Sequence, residues 1–180
     1  MFPAALPPFV PPQFGLKLAT ERWEVAAALR LRRYVFCEEQ RLFKDSDADE
    51  LDATASPIVA VDYVMGMSHR VVGTVRIHQE SPGLWYGSRL AIAPDYRSIY
   101  GLGSGLVYRA VTTAHARGCT TFLANVQKQN ASFFRRLGWE ALEDITLFGR
   151  PHVLMRADLD RYPAAADEGS VSLIAPGRAS

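Results

Sequence analysis

The sequence predicts an α+β (mixed α/β) domain built around a central, mostly antiparallel sheet. Three apolar, β-branched segments (57–63, 71–79 and 84–93) follow one another across links too short for a crossover helix. A helical segment then separates the third of them from a strand at 120–126, which places that strand parallel to its predecessor. Two last strand-like stretches, 139–148 and 151–159, close the pattern.

The chain of 180 residues has the length of one domain with short tails. A formal net charge of +1 gives no electrostatic footprint for nucleic acid or for an anionic membrane. Two cysteines, Cys37 and Cys119, make neither a disulfide framework nor a metal-spacing cluster. A cytoplasmic protein with reduced thiols and no metal is therefore expected. No run approaches the roughly 20 apolar residues that span a bilayer. Residues 1–14 are apolar but broken by Pro3, Pro7, Pro8, Pro11 and Pro12, and read as a proline-rich surface arm rather than a signal peptide. Residues 15–159 form the expected domain. From 160 to 180, Ala, Gly, Ser and Pro dominate, which reads as a flexible or surface-draped tail.

Taking the elements in order, Leu16 and Leu18 suit a short first strand. Thr20 is the expected N-cap of a helix with Glu21 and Glu24 in its first turn, where the helix dipole favours acid. Trp23, Ala27, Leu31 and Tyr34 recur at helical spacing and mark its apolar face, through about Gln40. The acidic stretch 44–56 (Asp45, Asp47, Asp49, Glu50, Asp52) reads as a solvated loop or a short helical turn. The 64–70 link suits a hairpin, and Ser81-Pro82-Gly83 is a turn. Past Pro94, a glycine-rich loop from 97 to 105 leads into a helix that buries Leu106, Val107, Ala110, Val111 and Ala114 and closes at Gly118. A short helix at 130–137 turns Phe133, Phe134 and Leu137 inward.

The chemistry concentrates where the 84–93 strand ends and Gly101, Gly103 and Gly105 precede an apolar helix. Amides at a helix N-terminus point outward without intrahelical partners, and the dipole adds partial positive charge. Glycine lets that main chain approach a phosphate closely, and Arg97 adds a formal charge. A Walker loop is excluded because no Gly-Lys-Ser or Gly-Lys-Thr is present. A dinucleotide fingerprint is excluded by the antiparallel strands that lead into the loop.

Four segments then resemble the GNAT acyltransferase family, in order, over about 29–159. Leu31-Arg32-Arg33-Tyr34-Val35-Phe36-Cys37-Glu38-Glu39-Gln40 is similar to the first-helix signature of one branch. Val71-Val72-Gly73-Thr74-Val75-Arg76-Ile77 resembles that branch's third strand. Leu90-Ala91-Ile92-Ala93-Pro94-Asp95-Tyr96-Arg97 with the glycine loop looks like the coenzyme A pyrophosphate motif. Asn130 with Phe133-Phe134-Arg135-Arg136-Leu137-Gly138-Trp139 resembles the segment after strand five. A looser similarity points to GNAT members found beside bacterial nitrilase-type gene clusters linked with nitrogen starvation.

The resemblance implies a sheet of six to seven strands, splayed between strands four and five and flanked by about four helices. It implies an N-acetyltransferase that moves an acetyl (acyl) group from acetyl-CoA to a primary amine by direct attack. Main-chain groups of Ala91, Ile92 and Ala93 are expected to pair with the pantetheine arm, one amide facing the developing oxyanion. Arg97 and the chain through Tyr100, Gly101, Leu102, Gly103, Ser104 and Gly105 are expected at the pyrophosphate, with Val126 and Asn130 on the opposite wall. Two positions depart from the family pattern. Ser98 stands where Arg or Gln is usual, because 97–101 holds one extra residue. Phe134 stands where many members carry the tyrosine that protonates the departing thiolate, leaving water, Tyr86, Tyr96 or Tyr100 for that step.

For the base, Thr74, Arg76 and His78 share the polar face of the 71–79 strand. Imidazole titrates nearest neutral pH, so His78 is one candidate, against the alternative of an exposed strand histidine. Glu39 is the other, against the alternative of a structural ion pair with Arg32 or Arg76. Arg76 and Tyr86 are candidate acceptor-binding residues. Arg76 suits an acidic acceptor, whereas the acidic loop suits a basic one. The acceptor stays open between a small-molecule amine and a protein amine, and a homodimer is allowed. Two other readings also stay open: a non-catalytic acyl-CoA-binding or regulatory domain, and a long-chain N-acyl amino acid or acyl-homoserine-lactone-type synthase.

Overall fold

The computed structural model describes residues 13–166 and 169–174, so most of the proline-rich arm lies outside the described residues. Its strands are β1 (Gln13–Leu18), β2 (Ser56–Val64), β3 (Met67–Ser81), β4 (Leu84–Ile92), β5 (Thr121–Gln127), β6 (Trp139–Leu147), β7 (Arg150–Ala157) and β8 (Ser172–Ile174). They form one sheet in the order β6-β7-β5-β4-β3-β2-β1-β8. β4 and β5 are parallel, as the intervening helix requires, and the other neighbours are antiparallel. Among the described residues three α-helices flank it: α1 (Arg22–Arg33), α2 (Leu102–Ala116) and α3 (Ala131–Arg136). The acidic loop supplies only a 3₁₀ turn, Glu50–Ala53.

α2 lies against β3 over the main core. A Cβ on Gly73 would come within 2.8 Å of Leu106 Cδ1, so glycine permits the close approach. Val75 and Ile77 face this side with Leu106, Val111, Phe122 and Met155. Alternation turns Thr74, Arg76 and His78 to the other face, beneath α1 and the acidic loop. They are buried there too, because both faces of the sheet are covered.

α1 differs from expectation in two ways. Glu21, not Thr20, is its N-cap, and the Glu24 carboxylate accepts from both the Thr20 and Glu21 amides. Its buried face is Glu24, Ala28 and Arg32, while Trp23 and Tyr34 are 40% and 44% exposed. The physical reason is charge pairing: Glu24 holds Lys17 at 2.7 Å, and Arg32 holds Asp47 and Asp52. α1 then widens into a π-helical segment, Tyr34–Glu39, which sends Phe36 and Cys37 inward.

The 160–180 segment, expected as a flexible or surface-draped tail, lies against the domain over its described part. Tyr162 is buried, donating to Leu137 O at 2.6 Å and accepting from Trp139 Nε1. The Ala165 amide bonds Thr112 O, and β8 pairs with β1. One buried aromatic and main-chain hydrogen bonds anchor a segment whose composition carries no periodicity.

Candidate active site

The β4–β5 ladder runs only from Leu84–Thr121 to Gly87–Ala124. Beyond it, β5 pairs on its other edge with β7, and β4 with β3, so the two strands part. A bulge in β4 helps to drive the separation. The register shifts between Thr74–Ala91 and Arg76–Ser88, and Arg89 takes a left-handed φ of 57°. A cavity of about 300 Å³ passes through the opening. On the α2 side its wall is apolar, with Val107, Val111, Phe122, Phe134 and Trp139. On the α1 side its floor is polar, with Arg76, His78, Tyr86, Asn125, Gln127 and His152.

At the mouth, Gly101 has a φ of +87° as N-cap of α2, a conformation glycine adopts without penalty. The helix begins at Leu102, so Gly103, Ser104 and Gly105 form its first turn rather than loop. Gly105 N already bonds Gly101 O at 2.8 Å, and the Leu102 side chain is core. That leaves the Gly103 and Ser104 amides at the helix end, without i−4 carbonyls to reach. A Cβ on Gly103 would lie 3.3 Å from Ile92 Cδ1, which puts this turn beside the end of β4. Tyr100 is 73% exposed next to it.

Strand alternation narrows the β4 assignment. Ala93 N bonds Val72 O, and Ala91 sits opposite Thr74, so both turn their main chain toward β3. Ile92 turns its main chain to the open edge, where its carbonyl accepts from Arg97 Nε at 3.1 Å. Arg97 also forms a bidentate pair with Glu39, at 3.0 and 2.7 Å. The Glu39 partner is thus Arg97, neither Arg32 nor Arg76. The expected cation for pyrophosphate and the expected base are joined to each other.

His78 is buried, not an exposed strand histidine, and its ring stacks on Tyr86 with centroids 5.8 Å apart. Its Nε2 lies 3.4 Å from the Glu80 carboxylate. Its Nδ1 is a buried atom without a hydrogen-bond partner. Of the three tyrosines considered as acids, Tyr86 lines the cavity. Tyr96 instead donates to Asp62 Oδ2 at 2.9 Å; burial and that hydrogen bond push its phenol up. Asn130 precedes α3, makes no cap bond and lines the cavity.

Two features were missed from sequence. His152 on β7 is buried with Nδ1 2.9 Å from Arg150 O; a carbonyl only accepts, so Nδ1 donates and the neutral lone pair sits on Nε2. A lone histidine in an alternating strand gives no signal for this. The other is the fate of three aspartates in the acidic loop, which is largely exposed as expected but buries Asp47 and pairs Asp47, Asp49 and Asp52 with arginines. Arg32 binds Asp47 and Asp52, Arg76 binds Asp49 and Asp52, and Arg89 binds Asp47 and Asp49, at 2.6 to 3.3 Å. Burial raises the Asp52 carboxyl, but hydrogen bonds from Arg32, the Asp49 amide and Arg76 outweigh it and hold it well below the usual range. The Arg76 hydrogen bond likewise lowers Asp49. Among the described residues, no cluster of three His, Cys, Asp or Glu is placed to hold a metal, and no helix is long and apolar enough to cross a membrane.

A sheet opened between parallel neighbours, with a helix N-terminus at the opening, defines an acyl-CoA N-acyltransferase fold. The chain belongs to the acetyltransferase (GNAT) family, whose model matches residues 23–139. The uncharacterized Bacillus subtilis protein YyaT is 30% identical over 150 residues, covering 82% of this chain and 97% of YyaT. A crystal structure from Lactobacillus plantarum superposes with a TM-score of 0.71 at 22% identity, over 80% of this chain and 97% of that one. An acyl-CoA N-acyltransferase from Pseudomonas aeruginosa gives 0.63 at 22% identity, over 80% and 98%.

Proposed function

We propose that this protein is a cytosolic N-acetyltransferase that moves an acetyl group from acetyl-CoA to a primary amine. The observation that carries the reading is the opening beyond Gly87–Ala124, with the Gly103 and Ser104 amides at its edge. Those amides suit an anionic diphosphate, and the open edge at Ile92 suits an extended amide-bearing arm. The buried free thiols Cys37 and Cys119 suit a reducing compartment.

In this reading His78 Nδ1 takes a proton from the acceptor ammonium. The freed amine nitrogen attacks the thioester carbonyl, a C–N bond forms, and the C–S bond breaks with its electron pair leaving on sulfur. The thiolate takes the second proton that nitrogen sheds, through Tyr86 or water, so one proton is released per turnover. Glu39 is assigned to holding Arg97 rather than to proton transfer.

A second reading, transfer of longer acyl chains, is favoured by the apolar α2-side wall of Val107, Val111, Phe122 and Trp139. Thermal shift with acetyl-, butyryl- and hexanoyl-CoA, followed by thiol release against an amine panel, tests both. Acetyl-CoA is expected to raise Tm and to support turnover. Preference for hexanoyl-CoA moves the assignment to the second reading, and binding without transfer to any amine points to a regulatory domain.

A further inference from the structure

The charges that bear on acceptor choice cancel. Arg76 suggests an acidic acceptor and the acidic loop a basic one, yet each is the other's partner. Arg32, Arg76 and Arg89 face Asp47, Asp49 and Asp52. Both guanidinium terminal nitrogens of Arg76 are occupied by Asp49, and its Nε donates to Ser88. Seating a carboxylate or a polycation here means breaking a hydrogen-bonded pair in a part-buried site, which costs more than the new contact returns.

What stands over the polar floor is apolar. Phe36, Leu42, Phe43, Leu51, Leu147 and Phe148 line the α1-side half of the cavity. Phe43 and Phe148 meet edge to face with centroids 4.6 Å apart, and the Arg89 guanidinium lies 4.7 Å over the Phe43 ring. Phe148 reaches this position from the β6–β7 turn at a left-handed φ of 52°, a conformation unfavourable for a bulky residue. It is 55% exposed there, so apolar area remains to be covered by a ligand. The wall beneath is fixed by Gln127 Nε2 donating to Gln40 Oε1 at 2.9 Å and Arg150 donating to Gln40 O at 2.6 Å.

Resting on the acyl-transfer reading, we propose that the acceptor is a primary amine on an apolar, aromatic-sized body. The body lies under the Phe43–Phe148 lid and the nitrogen reaches the floor between His78 and His152. Such surroundings also favour the neutral, nucleophilic amine, because desolvation disfavours its charged form. Carbon–nitrogen bond formation and thiolate departure are those of the parent reaction.

The test compares phenethylamine and tryptamine with spermidine and aspartate, using acetyl-CoA and thiol release, in wild type, Phe148→Ala and Phe148→Leu. The arylalkylamines are expected to have the higher kcat/KM. Phe148→Ala is expected to raise their KM about tenfold with little change in kcat, and Phe148→Leu to restore part of the loss. The thermal shift by acetyl-CoA serves as the control for folding and donor binding. Preference for spermidine or aspartate, an equal loss on every amine, or no turnover of arylalkylamines while acetyl-CoA still binds would overturn the inference and leave the acyl-transfer reading standing. Absence of acetyl-CoA binding in wild type would sink that reading and the inference together.

Discussion

Arg97 donates two hydrogen bonds to Glu39, at 3.0 and 2.7 Å, and so ties the start of the glycine turn to the π-helical segment. The pair is partly exposed, so its net stabilisation is small. Its consequence is geometric: both Glu39 carboxylate oxygens are taken up by the Arg97 guanidinium and are not presented to an acceptor. Glu39→Gln is therefore expected to lower kcat less than about tenfold and to tighten acetyl-CoA binding at low salt, by releasing Arg97 toward the diphosphate. Steady-state kinetics with calorimetric titration check this; a fall of about a hundredfold or more in kcat would return the base role to Glu39.

His78 is expected to behave differently. Its replacement by glutamine keeps a polar group near Glu80 but removes the imidazole lone pair. A fall in kcat of roughly 10²–10⁴ is predicted, with KM for acetyl-CoA little changed. His152→Gln serves as the comparison, since that ring also carries a free lone pair on the chamber floor. A larger loss in His152→Gln than in His78→Gln would transfer the role.

The arginine–aspartate network makes a prediction about stability. Asp47 is buried between Arg32 at 2.7 Å and Arg89 at 3.0 Å. Asp47→Asn leaves two guanidinium groups short of a carboxylate and is expected to cost about 3–5 kcal/mol in urea unfolding. A cost under about 1 kcal/mol would mean that the loop is not clamped as described.

The same network sets a pH dependence. Asp49 and Asp52 both have folded-state values below those of the unfolded chain. Their contribution is present in full above the unfolded carboxylate pKa of about 4 and is lost as pH falls through the lower folded values. Urea midpoints measured from neutral pH downward should decline below about pH 4. Asp52→Asn should flatten that decline; an unchanged slope would assign the acid sensitivity to other groups.

Much of the frame was legible in the sequence, for identifiable reasons. The 57–63, 71–79 and 84–93 segments carry β-branched runs punctuated by turns, and the helix before β5 dictates its parallel direction. α1 was misread by one residue because hydrophobic periodicity cannot see a buried charge. Arg32 is satisfied by Asp47 and Asp52, which lie 15 and 20 residues away. The glycine turn was legible through its glycines, but not its partition, since the helix starts at Leu102 rather than Leu106. The bulge at Arg89 has no glycine to mark it, and Arg97 looked free because Glu39 is 58 residues distant. Tyr162 is a single aromatic in a low-complexity segment, too little for any pattern.

Nitrogen-15 amide shifts recorded while coenzyme A is added test the central claim most directly. The predicted result is saturable movement of the Ile92, Gly103 and Ser104 amides, abolished in Gly103→Asp, where a carboxylate would repel the diphosphate. Saturation that leaves those three amides unmoved, or equal binding by the variant, would contradict it.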